Sequence, residues 1–290
     1  MPDQNLTEML DLLRQSAQST AIHTWHAKET AHADLLREIT GSDARLSDPK
    51  RLYRAYSQVY SQHCEDGYLA EIFSRIGLNS STFIEIGVGN GLENTTRFLL
   101  EQGWTGVWIE GNPDHVSEIR HLFREFIEQG SLKVIELLAT AENINAALDH
   151  INAPDSFDLI SIDVDFNTSH IWRALNRTGR VCCIEYNGSI PPSAAVEVPY
   201  DPNGAWDGTN FFGAGLKVIE QIGRLKGMAL VGCELQGVNA YLVSSDETGD
   251  HFSAPFTAEN HYETPKYSLL AHIGHPPSPC ARRWAVSRGG

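Results

Sequence analysis

The sequence has no long apolar run, no cluster of basic residues and no paired cysteine motif. No apolar stretch reaches the roughly 20 residues that span a bilayer. The first residues also lack the basic and apolar blocks of a signal peptide. The five cysteines form no C-x-x-C pair, which argues against both a zinc site and a disulfide framework. These absences predict a cytoplasmic protein without a membrane partner.

The net charge of the chain excludes some classes of binding partner. The formal net charge is −15, and no local run of Lys or Arg offsets it. Such a chain repels phosphate backbones, so we expect a small-molecule substrate and no nucleic-acid partner. The hydrophobic share of 41% and the charged share of 20% are typical of a globular protein. The sequence leaves open whether the chain forms a homo-oligomer.

The pattern of apolar residues divides the chain into three parts. Residues 1–60 show helical spacing and no strand pattern, which predicts a helical cover over the rest of the protein. Residues 61–246 alternate strand-like and helix-like stretches, as in a doubly wound α/β sheet. Residues 247–290 lack periodicity and are predicted to be a surface-wrapping or partly disordered C-terminal extension. The predicted parallel strands are Thr82–Ile86, Gly106–Ile109, Lys133–Leu138, Phe157–Ile162 and Val181–Tyr186.

Two late strands carry information about the fold class. Met228–Cys233 and Ala240–Ser244 are separated by six residues, too few for a helical crossover. They are therefore predicted to pair antiparallel. A late antiparallel strand favours the methyltransferase-type Rossmann-like sheet over the nicotinamide-binding type.

A glycine-rich turn follows the first predicted strand. The run from Glu85 to Gly91 has glycine at 87, 89 and 91, which permits a tight turn and lets a ligand approach the backbone. Glu110 ends the next strand, 25 residues after Glu85, where a carboxylate can accept hydrogen bonds from ribose hydroxyls. The pair predicts a nucleoside cofactor. The alternative is a glycine turn beside a solvated glutamate.

These motifs resemble class I S-adenosylmethionine-dependent methyltransferases. The acidic-x-Gly-x-Gly-x-Gly pattern matches at Glu85, Gly87, Gly89 and Gly91, and the acidic end of the second strand matches at Glu110. The resemblance covers about residues 57–245 and implies S-adenosylmethionine as the cofactor. By the same resemblance Glu142, after the third strand, is expected near the adenine. The alternative is that Glu142 is simply a helix N-terminal carboxylate favoured by the macrodipole.

Within that superfamily the chain is similar to a bacterial group associated with polysaccharide and secondary-metabolite pathways. Three segments carry this similarity: Glu65–Gly67, the Ser-Ile-Asp-x-Asp run Ser161–Asp165, and the Ile-Glu-Tyr-Asn run Ile184–Asn187. Phe166 departs from the pattern, which has glycine at this position. This similarity identifies the expected cofactor better than it identifies the expected substrate.

Acidic residues gather at the ends of the fourth and fifth strands. Asp163 and Asp165 are two apart, as are Glu185 and Asn187, so each pair points to one side of an extended strand. Oxygen ligands without cysteine suit Mg²⁺, Ca²⁺ or Mn²⁺ and do not suit zinc, and Mg²⁺ or Mn²⁺ is the expected ion. The set resembles the site of metal-dependent catechol-type and sugar O-methyltransferases, although their adjacent Asp-Asn pair is spread here over Glu185–Asn187. The alternatives are solvated carboxylates, or a carboxylate base without metal.

Two further features lie nearby. His170, at the start of a predicted helix, is a candidate general base, and a plain helix-start histidine is the alternative. The loop Tyr200–Gly208 mixes aromatic and hydrogen-bonding groups, which suits a polyhydroxylated ligand.

The sequence thus predicts a metal-assisted O-methyltransferase that acts on a hydroxyl of a sugar or biosynthetic intermediate. Asp163, Asp165 and His170 are the candidate catalytic residues. Two alternatives stay open: a nicotinamide-dependent oxidoreductase, and a catalytically silent methyltransferase-fold binding protein.

Overall fold

The computed structural model describes residues 2–42, 44–267, 269 and 277–285. The chain separates into two units, of which the first ends at Asp48 and the second begins at Pro49. The first unit contains one long helix, α1 (Pro2–Ser42), and a short 3₁₀ helix, Ala44–Ser47. The predicted helical N-terminus is therefore confirmed. The covering role of residues 1–60 stays a prediction. No helix in the described residues has the length and apolarity needed to cross a bilayer.

The second unit alternates strands and helices. Its strands are β1 (Thr82–Ile86), β2 (Thr105–Glu110), β3 (Leu132–Glu136), β4 (Ser156–Ile162), β5 (Thr178–Glu185), β6 (Met228–Cys233) and β7 (Asn239–Ser244). Its helices are α2 (Glu65–Ile76), α3 (Arg97–Glu101), α4 (Pro113–Leu122), α5 (Arg124–Glu128), α6 (Ile144–His150), α7 (Thr168–Ala174), α8 (Leu216–Leu225) and α9 (Ala258–His261).

All seven strands join one sheet in the order β3-β2-β1-β4-β5-β7-β6. The first five strands in this order are parallel, β7 is antiparallel to β5, and β6 is antiparallel to β7. The predicted doubly wound sheet with a late antiparallel hairpin is confirmed. The strand order reverses between β1 and β4, and ligands of such sheets bind at this switch point, beyond the carboxyl ends of the strands.

Polar side chains of the candidate site lie at the strand ends because the middle of the sheet is buried. Helices cover both faces of the parallel strands, so β4 is buried from Phe157 to Ile162 and β5 from Val181 to Glu185. Side chains within the sheet must therefore be apolar or fully hydrogen-bonded. Along β4 and β5, polar residues that meet solvent lie near the strand starts, as Ser156 and Thr178 do, and just beyond the end of β4, at Asp163 and Asp165.

Two helices of the second unit begin just after segments whose backbone is held in a non-helical arrangement. Helix α3 begins at Arg97, after Thr95 and Thr96 direct their backbone N–H groups to the Glu85 carboxylate. Helix α8 begins at Leu216, after Gly213 adopts a left-handed conformation with φ +56°.

The C-terminal extension packs more closely than a loose tail. Phe252, Ala258 and His261 are buried. Further along, Arg97 Nη2 donates to the carbonyl oxygen of Ser278 (2.8 Å), and the Trp284 indole donates to the Tyr60 hydroxyl (3.2 Å). Residues 252–261 and 278–284 thus contribute to the second unit.

Candidate functional site

A cleft of about 800 Å³ opens at the carboxyl ends of β1, β2 and β4. Its wall includes the glycine turn, Glu110 and the segment Leu137–Ala139 after β3. The opposite side contains Asp163–Asp165, and Pro202, Gly204 and Ala205 from the long loop after β5. The cleft therefore lies at the position that the strand order indicates.

Glu85 organises the turn from inside the protein. Its carboxylate is buried and accepts hydrogen bonds from Asn94 Nδ2 (2.6 Å), Thr95 N (2.9 Å) and Thr96 N (3.0 Å). Burial raises the pKa of Glu85 to about 7, although these hydrogen bonds act in the opposite direction. Glu85 lines the floor of the cleft and ties the turn to the approach of α3.

Gly87 and Gly89 are required for different reasons. Gly87 has φ +84°, and a Cβ there would lie 1.6 Å from the backbone oxygen of Asp163. Gly89 has φ +61°, but a Cβ there would have no atom within 4 Å. Gly87 lets β1 and β4 approach at their ends, whereas Gly89 leaves an open face on the cleft.

Glu110 bridges the end of β2 and the glycine turn. One carboxylate oxygen accepts from Val88 N (3.1 Å) and Gly89 N (2.8 Å), and the other accepts from Asn112 N (2.8 Å). Glu110 is nearly buried and lines the cleft. The predicted carboxylate at the strand end is therefore in place, and it also holds the turn in position.

Three carboxylates meet at the ends of β4 and β5. Oxygen atoms of Asp163, Asp165 and Glu185 lie within 4.8 Å of one another. Burial raises the pKa of Asp163 to about 6 and that of Glu185 well above its usual value, and in each case neighbouring carboxylates add to the effect. Such a group favours uptake of protons or of a cation.

The geometry that joins Asp163 to Asp165 differs from the prediction. Strand β4 ends at Ile162, and Asp165 adopts a left-handed conformation with φ +57°. Phe166 N donates to the carbonyl oxygen of Val164 (2.7 Å), which closes a tight turn. A turn, and not strand alternation, therefore brings the two carboxylates together. Phe166, where glycine was expected, packs its ring against Gly204, at which a Cβ would lie 2.4 Å away.

Asn187 is directed into the loop after β5. Its Nδ2 donates to the carbonyl oxygens of Asn210 and Phe212 (both 2.9 Å), and its Oδ1 accepts from Ser189 N (3.0 Å). Strand β5 ends at Glu185, so alternation no longer controls the next side chains. Asn187 as a metal ligand stays a prediction.

Glu142 and His170 both contact the loop after β5. Neither is among the described residues that line the cleft. The Tyr200 hydroxyl donates to the carboxylate of Glu142, which is exposed. His170 Nε2 contacts the carbonyl oxygen of Val198 (2.8 Å), and Arg173 Nη1 contacts His170 Nδ1 (3.3 Å). The adenine contact of Glu142 and the general-base role of His170 stay predictions.

Two asparagines were missed by the sequence analysis. Asn94 and Asn167 line the cleft and are 8% and 5% exposed. In the part of the chain that the structure describes, neither side-chain oxygen has a hydrogen-bond partner. Buried polar atoms are usually paired, so these two oxygens are exceptions beside the cleft. The only sequence feature that could have pointed to these two residues is their position just before α3 and α7.

Glu65 was quoted for the similarity but was not assigned to the site. It lines the cleft, where its carboxylate accepts from His63 N (2.7 Å) and Asn239 Nδ2 (3.0 Å). Burial raises the pKa of Glu65 to about 7.

We expect the free energy of unfolding to fall as the pH rises. Glu65 and Glu85 have their pKa raised by burial from 4.5 to about 7, so they bind protons more tightly in the folded chain than in the unfolded chain. Their stabilising contribution is complete below pH 4.5 and is lost as the pH rises toward 7. Urea denaturation of wild type and Glu85→Gln across this range checks the expectation. A slope that Glu85→Gln leaves unchanged would remove Glu85 as a cause.

Comparisons with known proteins place methyltransferases among the structural neighbours. No family model and no curated protein matches the chain. One similar structure is an S-adenosylmethionine-dependent methyltransferase from Clostridium acetobutylicum, at 13% identity and a TM-score of 0.39, covering 74% of this chain and 98% of that one. Another is magnesium protoporphyrin IX methyltransferase from Synechocystis with bound cofactor, at 13% identity and 0.38, covering 62% and 77%.

A third neighbour is a TehB-like S-adenosylmethionine-dependent methyltransferase from Corynebacterium glutamicum. It has 14% identity and a TM-score of 0.34, with 60% of this chain and 86% of that chain covered. The fold class itself follows from the strand order and from the antiparallel pairing of β6 and β7.

Proposed function

We propose that the chain is an S-adenosylmethionine-dependent O-methyltransferase that acts on a hydroxyl of a small polar molecule such as a sugar or biosynthetic intermediate. The main support is one arrangement in the cleft: the open face of Gly89 beside the Glu110 carboxylate at the end of β2. A nucleoside fits there because its ribose hydroxyls can donate to the carboxylate while the backbone approaches at glycine.

The polar groups of the cleft also fit this cofactor. The side-chain oxygen of Asn94, beside Glu85, has no partner among the described residues, and it is a hydrogen-bond acceptor of the kind that an α-ammonium group requires. Leu137, Leu138 and Ala139 offer an apolar surface for a base. S-adenosylmethionine supplies a methyl group activated by a positively charged sulfur.

In this proposal, the hydroxyl of the acceptor binds at the carboxylates of Asp163, Asp165 and Glu185. Its oxygen forms a bond to the methyl carbon while the carbon–sulfur bond breaks, and its proton passes to a carboxylate. Asp165, the most exposed of the three, is best placed to take the proton and return it to solvent. Orientation of the hydroxyl supplies much of the catalysis.

We include a divalent cation, Mg²⁺ or Mn²⁺, in the proposal. Three convergent carboxylates with raised pKa values form a hard-oxygen donor set without cysteine. A bound cation lowers the pKa of a coordinated hydroxyl.

We expect Glu110→Ala to weaken the binding of S-adenosylhomocysteine by about 1 to 3 kcal/mol, the scale of losing a charge-assisted hydrogen-bonding partner. Isothermal titration calorimetry measures this change. Glu136→Ala is the matched control, because Glu136 ends β3 but is exposed and pairs with Arg120 (3.3 Å). Unchanged affinity in Glu110→Ala would remove Glu110 from the cofactor site. If NAD(H) bound and S-adenosylhomocysteine did not, the oxidoreductase alternative would replace the proposal.

A further inference from the structure

Arg97, the first residue of α3, is a fully buried cation. Its Nε donates to Glu101 Oε1 (3.1 Å), and Glu101 is also fully buried. The guanidinium carbon of Arg97 lies 3.7 Å from the centre of the Tyr60 ring. A buried charge is stable only where it is paired and hydrogen-bonded, so the other N–H groups of the guanidinium need acceptors as well.

These acceptors belong to two segments that are distant in sequence. Arg97 Nη1 donates to the carbonyl oxygen of Leu92 (2.9 Å), directly after the glycine turn. Arg97 Nη2 donates to the carbonyl oxygens of Ser278 (2.8 Å) and Cys280 (3.2 Å). One rigid, planar guanidinium thus joins the segment after the glycine turn to the C-terminal residues.

The segment after the glycine turn has little regular structure of its own. Residues 91–96 form neither helix nor strand, and residues 93–95 line the cleft. The Glu85 carboxylate accepts from the last two backbone N–H groups of this segment. Arg97 binds its beginning, at the carbonyl oxygen of Leu92. The position of this part of the cleft wall therefore depends on two buried charged side chains.

The C-terminal residues Ser278–Trp284, here called the strap, contact the outside of α3 and the residue before β3. Trp284 N donates to the carbonyl oxygen of Glu101 (2.8 Å), and Arg283 Nη2 donates to Ser131 Oγ (2.9 Å). No residue of the strap is among the described residues that line the cleft. An effect of the strap on a ligand in the cleft therefore requires an intermediate residue.

We propose that Arg97 is a positioning residue for the cofactor and that the strap raises cofactor affinity through it. This inference rests on the proposed function and adds residues that do not touch the cofactor. While Ser278 and Cys280 bind the Nη2 end of the guanidinium, its Nη1 end stays on the carbonyl oxygen of Leu92, and residues 93–95 keep their place in the cleft wall. The apparent affinity for the cofactor falls with the fraction of molecules in which this segment is in place.

Substitutions in the strap test the inference without shortening the chain. Arg283→Ala combined with Trp284→Ala removes the side-chain contacts of these two residues and changes no residue that lines the cleft. We expect this strap variant to bind S-adenosylhomocysteine about tenfold more weakly than the wild type, as titrated by calorimetry. Arg282→Ala is the matched control, because Arg282 is exposed on the same segment, and it should keep wild-type affinity.

A double-mutant cycle tests whether the strap acts through Arg97. Arg97→Met removes the hydrogen bonds of the guanidinium, and we expect it to weaken binding of S-adenosylhomocysteine by about tenfold or more. Arg97→Lys keeps a charge beside Glu101 and should show a smaller loss. Adding the strap substitutions to Arg97→Met should cause no further loss. The strap variant keeps the pair of Arg97 and Glu101, so its result does not depend on whether Arg97→Met folds.

Hydrogen exchange separates positioning from a general loss of stability. In the strap variant, the backbone amides of residues 88–96 should exchange faster, while those of β4 exchange as in the wild type. In the wild type, saturating S-adenosylhomocysteine should slow exchange in the strap, because energetic coupling between two sites is reciprocal. Urea denaturation of the same variants records any change in global stability.

Each outcome supports or overturns the inference. Wild-type affinity in the strap variant, an equal loss in Arg282→Ala, or additive losses in the cycle would overturn it. Unfolding of the strap variant, or faster exchange throughout the sheet, would assign the strap a structural role only and would also overturn it. Failure of S-adenosylhomocysteine to bind the wild type would contradict the proposed function itself, whereas tight binding by the wild type and the strap variant alike would contradict only the positioning role.

Discussion

Gly87→Ala is expected to lower the free energy of unfolding by about 2 to 6 kcal/mol, the sum of backbone strain and overpacking. The residue has φ +84°, and the added Cβ would lie 1.6 Å from the backbone oxygen of Asp163. That oxygen cannot rotate away as a flexible side chain would, so the ends of β1 and β4 must separate. Urea denaturation measures the change.

Gly89→Ala is the matched control for this prediction. Its φ is also positive, at +61°, but its Cβ would meet no atom within 4 Å. We expect only the strain, about 1 to 2 kcal/mol, together with a clear loss of S-adenosylhomocysteine affinity because the methyl group enters the cleft. Equal destabilisation of the two variants would contradict the assigned contact of Gly87. Unchanged affinity in Gly89→Ala would place the ligand elsewhere.

Asp163→Asn should reduce turnover by about 100-fold or more while leaving cofactor affinity nearly unchanged, because the proposed role of Asp163 is to act on the acceptor's hydroxyl. Single-turnover assays with S-adenosylmethionine and calorimetry with S-adenosylhomocysteine separate the two effects. Asp155→Asn is the control, since Asp155 is exposed at the opposite end of β4. A parallel loss of affinity and turnover would assign Asp163 to the cofactor instead.

Removal of divalent cations by a chelator tests the metal proposal independently of the Asp163→Asn variant. Activity should fall with EDTA and return with Mg²⁺ or Mn²⁺. Addition of Mg²⁺ to the metal-free protein should also raise its stability at neutral pH, where the carboxylates of Asp163, Asp165 and Glu185 repel one another. Full activity after exhaustive chelation would remove the metal and leave the methyltransferase proposal in place, with Asp165 as the base.

The sequence predicted the geometry around the glycine turn and Glu110 better than the geometry around Asp163 and Asp165. The glycine turn and Glu110 depend on contacts between the ends of adjacent strands, and strand positions are visible in the pattern of apolar residues. Asp163 and Asp165 were predicted to be close for an incorrect reason, since a left-handed turn at Asp165 joins them. Backbone conformations of this kind leave little trace in the sequence when the residue is not glycine.

The loop after β5 accounts for most of the differences between the predicted and the observed surroundings of the candidate site residues. Glu142 and His170 have side chains that suit a site, but Tyr200 and Val198 of the loop after β5 bind them. Asn167 was overlooked, because its position beside the cleft depends on the loop after β5, where the carbonyl oxygen of Asp201 accepts from its Nδ2. Hydrogen-bond partners about 28 to 58 residues away in the sequence therefore determine whether these side chains are free to bind a ligand.

The sequence by itself determined the fold class, the place of the antiparallel hairpin and the edge of the sheet that carries the polar residues. These properties follow from apolar periodicity and connection length, which are local. Only the tertiary structure decided which polar groups face the cleft and which bind the protein's own backbone. That choice depends on where loops distant in sequence pack, because a buried polar group takes whichever partner packing brings within reach.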